Sequence, residues 1–177
     1  MTDALFFYNP SDATKIPLRE KPLKAEKEEE KPKLKRGRPK KGETREPIKP
    51  TILNQQKDMQ TVEEMLSLVS TKCGVGVKQN SKGNREIWIG GKLHISAVDG
   101  DIPIAAFYSG ANVHDSSVAL PLIQETSRRV SYLYDLQDAG YDADIIREFS
   151  QKHGHRPIID INPKNSQALR DKIQLAE

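Results

Sequence analysis

Hydrophobic and polar positions divide the chain into short alternating runs, helical stripes and one long stretch with almost no apolar residue. Leu5 to Leu18 reads as a strand interrupted at Asn9-Pro10, after which Asp12, Thr14 and Ile16 share one face at a period of two. Thr61 to Ser70 predicts a helix: Thr61 and Glu64 form a capping box, and Val62, Met65, Leu66 and Val69 fall on one stripe. Cys73 to Asn84, rich in Gly, Lys and Asn, reads as a loop. Glu86 to Val98 alternates as a long strand, with Ile87, Ile89, Leu93, Ile95 and Ala97 on one face and Trp88, Lys92, His94 and Ser96 on the other. Asp99-Gly100-Asp101 is a tight turn that returns Ile102 to Tyr108 as the paired strand of a β-hairpin. Gly90-Gly91 marks a bulge or a close approach of another backbone.

Asn112 to Ser116 predicts a turn and N-cap leading into a helix over 118–129, whose start Pro121 delays. His114 and Asp115 read as a hydrogen-bonded turn rather than metal ligands, and His153-Gly154-His155 as a turn rather than a zinc site. Tyr132, Leu133, Tyr134 and Leu136 have the apolar character of a buried strand, which ends at Asp138-Ala139-Gly140. A helical pattern follows from Gly140, centred on residues 145–149, and stops at Gly154; Pro157 to Ile161 is a last short strand. Asp138 therefore stands at a strand-to-helix turn. Such an acid either caps the following helix or belongs to the reactive edge of an open α/β sheet.

Composition changes this picture in one place. The chain of 177 residues, 36% hydrophobic and 30% charged, has room for one modest domain plus a flexible segment. Its net charge is only +3, yet residues 19–49 hold 13 Lys and Arg against 7 Glu, a local +6. Residues 81–177 carry 11 basic and 13 acidic side chains, −2. The boundaries implied are a first strand over 1–18, a basic disordered insert over 19–60, and the main domain over 61–177. Within the insert, Lys35, Arg36, Gly37, Arg38, Pro39, Lys40 and Lys41 resemble an AT-hook: glycine admits the backbone to the minor-groove floor, and the flanking arginines enter the narrow groove of A·T tracts. An ordinary basic linker making loose phosphate contacts has the same composition. The single cysteine, Cys73, suits a reducing cytosol. The apolar run Ala4 to Tyr8 is too short for a signal peptide or membrane span, so a soluble, cytoplasmic protein is expected.

Four stretches in fixed order carry a resemblance: Ser11-Asp12-Ala13-Thr14-Lys15-Ile16, Trp88 to His94 (WIGGKLH), Ala111 to Ser116 (ANVHDS), and Asp138-Ala139-Gly140-Tyr141-Asp142. Together they resemble the core of bacterial insertion-sequence transposases of the DDE type, over residues 5–20 and about 85–165. The resemblance implies an RNase H-like mixed β-sheet with packed helices. It implies Asp12 and Asp138 as catalytic, metal-holding carboxylates, and a DNA-phosphate role for Lys92. It also implies Mg²⁺, with Mn²⁺ able to substitute, acting on the double-stranded DNA of transposon ends, and a homodimer on that DNA. The family's third carboxylate lies on a helix beyond the last strand, where this chain offers only Asp171 and Glu177 outside the expected pattern. The expectation is a fold incomplete at the C-terminus and a truncated copy of impaired activity. The alternative is a non-catalytic DNA-binding protein acting through residues 31–41.

Overall fold

The computed structural model describes residues 5–22, 50–79 and 83–163, with isolated positions at 168 and 171. The AT-hook-like stretch 35–41 and Glu177 lie outside the described residues. Six strands form one mixed sheet: β1 (Leu5–Pro17), β2 (Gly74–Gln79), β3 (Arg85–Val98), β4 (Ile102–Gly110), β5 (Ser131–Gln137) and β6 (Arg156–Ile159). β3 pairs antiparallel with β1 through one edge, while β4 and β2 divide its other edge end to end. β5 runs parallel to β1, and β6 parallel to β5. The crossovers β4–β5 and β5–β6 carry helices α3 (Ala119–Arg129) and α4 (Asp144–Lys152), as parallel neighbours require.

Local chemistry accounts for most of these boundaries. α2 (Val62–Ser67) starts at the Thr61–Glu64 capping box, with both reciprocal bonds formed. The β3–β4 hairpin closes through Gly100 and Asp101, both at positive φ (82° and 59°). Gly90, at φ 152°, lets β1 approach, because a Cβ there would overlap the Ile16 carbonyl. Pro121 sits in the first turn of α3, where no amide hydrogen bond is forfeited, and a 3-10 turn (Asp115–Val118) precedes the helix. Gly154 (φ 86°) ends α4.

Helices cover one face of the sheet. Met65, Leu120, Ile123, Tyr141, Ile146, Phe149 and Ile159 form the larger core cluster; Val69, Ala105, Val118 and Leu122 form a second. Two expectations change, and one open point is decided. Cys73–Asn84 is not all loop: Gly74–Gln79 is β2, and Gly76 is the residue that makes room for the Trp88 ring lying over it. The face of β3 that is buried is the one bearing Trp88, His94, Ser96 and Val98, whereas Ile87 and Ile89 are exposed. In β5 the buried side chains are Tyr132, Asp135 and Gln137, while Leu133 is exposed. In addition, the 19–60 segment is not wholly without order. Its end holds the short helix α1 (Ile52–Gln56), with Gln56 buried and bonded to the Met65 and Ser117 carbonyls. β1 also runs unbroken through Asn9-Pro10.

Candidate active site

The edge where β5 ends brings the two sequence-selected aspartates together. Ser11 pairs with Gln137 in the parallel β1–β5 ladder, so Asp12 and Asp138 are the next residues on adjacent strands. Neighbouring strands lie roughly 5 Å apart, so the two residues sit beside one another at this edge of the sheet. β5 stops here because Asp138 Oδ1 accepts the Gly140 N–H at 2.8 Å and caps a second 3-10 turn (Ala139–Tyr141). The capping role and the sheet-edge position thus coexist in one residue. Asp12 Oδ1 accepts the Ala13 N–H at 2.7 Å. Both side chains are exposed, and among the described residues neither takes part in a salt bridge.

Asp12 and Asp138 line a cavity of about 420 Å³ together with Thr14, Lys15, Lys78, Glu86, Trp88, Lys92 and Asp115. Its other charges are largely matched in pairs. Lys15 bridges to Glu86, and half-buried Lys92 donates to Asp115 Oδ1 and to the Val113 carbonyl, each at 2.8 Å. His114 Nδ1 accepts the Ser116 N–H and fixes the turn that presents Asp115. The expected hydrogen-bonded turn is present, but Asp115 also faces the same cavity as the two aspartates. Its distance along the chain from both hid this.

Two buried residues stand behind the cavity. His94 is fully buried, and its Nε2 lies 2.8 Å from Ser109 Oγ. Burial draws its pKa down to about 4; Asp115 and Asp12 oppose the shift and Lys92 adds to it, so the ring is neutral at pH 7. Tyr141 is 1% exposed, and burial first, then Asp115, Asp12 and Asp138, push its ionisation upward. Neither His94 Nδ1 nor the Tyr141 hydroxyl has a hydrogen-bond partner among the described residues.

A shallower hollow of about 360 Å³ adjoins the first, shared by Asp12, Asp138 and Asp160. Asp160 directly follows β6, and its N–H donates to the Gln137 carbonyl at 3.2 Å. The rule that singled out Asp138, an acid just past an apolar strand, also applies to Asp160, and the sequence reading passed it over. Among the described residues, no three His, Cys, Asp or Glu side chains are positioned to share one metal ion. Nor is any helix among them long and apolar enough to cross a membrane. No protein-family model, curated protein or solved structure matches the chain.

Proposed function

We propose that the chain is a DDE-type transposase core of RNase H-like architecture, performing metal-dependent phosphoryl transfer on DNA. The observation that carries the reading is the pair Asp12 and Asp138: adjacent in register, in one cavity, and without a cationic partner among the described residues. The strand order supports it, with β4, β3 and β1 antiparallel in sequence across the sheet, then β5 and β6 parallel. Two neighbouring carboxylates repel each other unless a cation lies between them. Their hard oxygen donors suit Mg²⁺ or Mn²⁺, ions held by one or two carboxylates with several waters retained.

Such an ion, when bound, lowers the pKa of a bound water or hydroxyl and neutralises charge on the phosphoryl group. The chain's own residues do the positioning. The turn bonds to Ala13 and Gly140 N–H hold one oxygen of each aspartate, leaving Oδ2 of each with no hydrogen bond among the described residues. The Lys92 ammonium, anchored at the cavity wall, places a positive charge where a DNA phosphate oxygen enters. Neutral His94 donates no charge to that phosphate. The basic segment 31–41 supplies DNA affinity, through the minor groove of A·T tracts or through phosphates.

The test is cleavage and joining of DNA carrying the element's own ends, with Mg²⁺ or Mn²⁺. Metal-dependent product that disappears in both Asp12→Asn and Asp138→Asn supports the reading. Product indifferent to both substitutions overturns it. Metal-independent DNA binding that is lost when residues 31–41 are deleted, with no product under any metal, favours the non-catalytic binding protein.

A further inference from the structure

β3 does not run straight. Lys15 faces Lys92 in the β1–β3 ladder, yet its ammonium bridges to Glu86, six residues before Lys92. At about 3.3 Å per residue, a straight strand would set Glu86 roughly 20 Å further along, more than the two side chains can span. The cavity requires the same bend, because Asp12, which faces Ile95, shares it with Lys78 and Glu86. The first half of β3 therefore turns back over β1 and carries its ladder partner β2 with it. The bend falls at Gly90-Gly91: Gly90 has φ 152°, and a Cβ on Gly91 would overlap the Tyr108 ring. Trp88 Nε1 donates across it to the Gly91 carbonyl at 3.3 Å.

The arm so formed, residues 74–89, carries Lys78, Lys82 and Arg85 in its sequence against the single acid Glu86. Lys78 faces Glu86 and Gly76 faces Trp88 in the β2–β3 ladder, so Lys78, Glu86 and Trp88 share one side of the arm, and all three line the cavity. Glu86 gives its Oε1 to Lys15 instead of to Lys78. The third cavity lysine, Lys92, is held by Asp115 and the Val113 carbonyl. Among the described residues the Lys78 ammonium has neither an ion pair nor a hydrogen bond. One wall of the cavity thus offers an uncommitted cation and the other the Asp12–Asp138 pair. A ligand that fits both carries more than one negative group along its length, as a phosphodiester chain does.

We propose that the β2–β3 arm grips the DNA strand over the aspartate pair, with Lys78 binding a phosphate beside the one presented to Asp12 and Asp138. This rests on the DNA phosphoryl-transfer reading and adds a contact which that reading does not require. The strand lies between the arm and β1. The Lys15–Glu86 pair and the Trp88–Gly91 bond hold the arm in place before DNA arrives, so little ordering is left to be done on binding. Lys78 acts away from the reacting atoms and contributes to holding substrate.

The test is the salt dependence of DNA binding by the full chain, followed by fluorescence anisotropy on a short duplex carrying the element's own end, beside steady-state cleavage with Mg²⁺ or Mn²⁺. Lys78→Met is expected to lower the slope of log affinity against log salt by about 0.9, the loss of one phosphate contact. Binding should weaken severalfold, and KM should rise with kcat little changed. Lys78→Arg should restore the slope. Lys152→Met, in the last turn of α4, should leave it unaltered, and an equal fall there would reduce the effect to general charge and overturn the grip. Product formation with slope and KM unchanged in folded Lys78→Met also overturns the grip and leaves the transposase reading standing. A lowered slope without product under either metal keeps the arm as a DNA contact and overturns the reaction. An unchanged slope without product overturns both.

Discussion

Asp135 and Asp138 lie three residues apart near the end of one strand, and their surroundings are opposite. Asp135 is fully buried, with Oδ1 accepting the Asn9 amide at 3.1 Å and Oδ2 accepting the Ser150 hydroxyl. Asn9 in turn accepts from Ser96, whose oxygen lies 2.7 Å from Thr126 Oγ1. One polar chain thus ties β1, β3, β5, α3 and α4 together through the core. Asp138 is exposed and uses one oxygen for a turn, and among the described residues it has no charged partner. A carboxylate whose bonds are all spent inside the protein holds the fold. One that keeps an oxygen open beside a second carboxylate is available for chemistry. The contrast predicts that substitutions at the two positions fail in different assays.

The largest effect belongs to the open site. Asp138→Asn or Asp12→Asn should lower metal-dependent phosphoryl transfer by ~10³ or more, because positioning and charge stabilisation supply most of the catalysis. The melting temperature should barely move, as for other exposed substitutions, within about 0.5 kcal/mol. A single-turnover assay beside a thermal melt checks both halves. Unfolding of Asp138→Asn would erase the distinction from Asp135.

Asp135→Leu should show the reverse. It strands the Asn9 amide and the Ser150 hydroxyl in the core, costing about 3–5 kcal/mol, read as a lower urea midpoint. A smaller effect comes from His94. Its folded pKa, about 4, lies below the value of about 6.5 expected when unfolded, so the unfolded chain takes up the proton first. Stability is fully present above pH 6.5 and falls as the pH drops towards 4, with ~3 kcal/mol lost by then. His94→Gln should flatten that part of the pH–stability curve. The smallest effect is expected on the uncovered face: Ile87→Thr, at a side chain 66% exposed, should change stability by no more than about 0.5 kcal/mol. A large loss there would mean that this face is covered in solution.

Local rules made much of this legible in the sequence. The Thr61–Glu64 box, the Asp99–Asp101 turn, the close approach at Gly90 and the strand-end position of Asp138 each follow from a few adjacent residues. Long-range features did not. β2 alternates Gly with Val, a poor strand signal, and exists because Gly76 accommodates Trp88 from the neighbouring strand. Periodicity separates the two faces of β3 but does not say which one the helices cover. They cover the side carrying His94 and Ser96, where hydrogen bonds replace apolar contacts. Asp135 and Gln137 look like solvent positions until their neighbours are known, and Asp115 joins the cavity of Asp12 and Asp138 only once the fold brings its turn beside Asp138.

The most direct test of the central claim is anomalous scattering from crystals of the full chain soaked in Mn²⁺. The account predicts a peak between Asp12 and Asp138, with metal–oxygen distances near ~2.1 Å to each, as hard octahedral ions require. A peak at Asp12 and Asp138 that disappears in Asp138→Asn crystals would tie the ion to this pair. Well-ordered, separate carboxylates with no peak between them at saturating Mn²⁺ would contradict the claim.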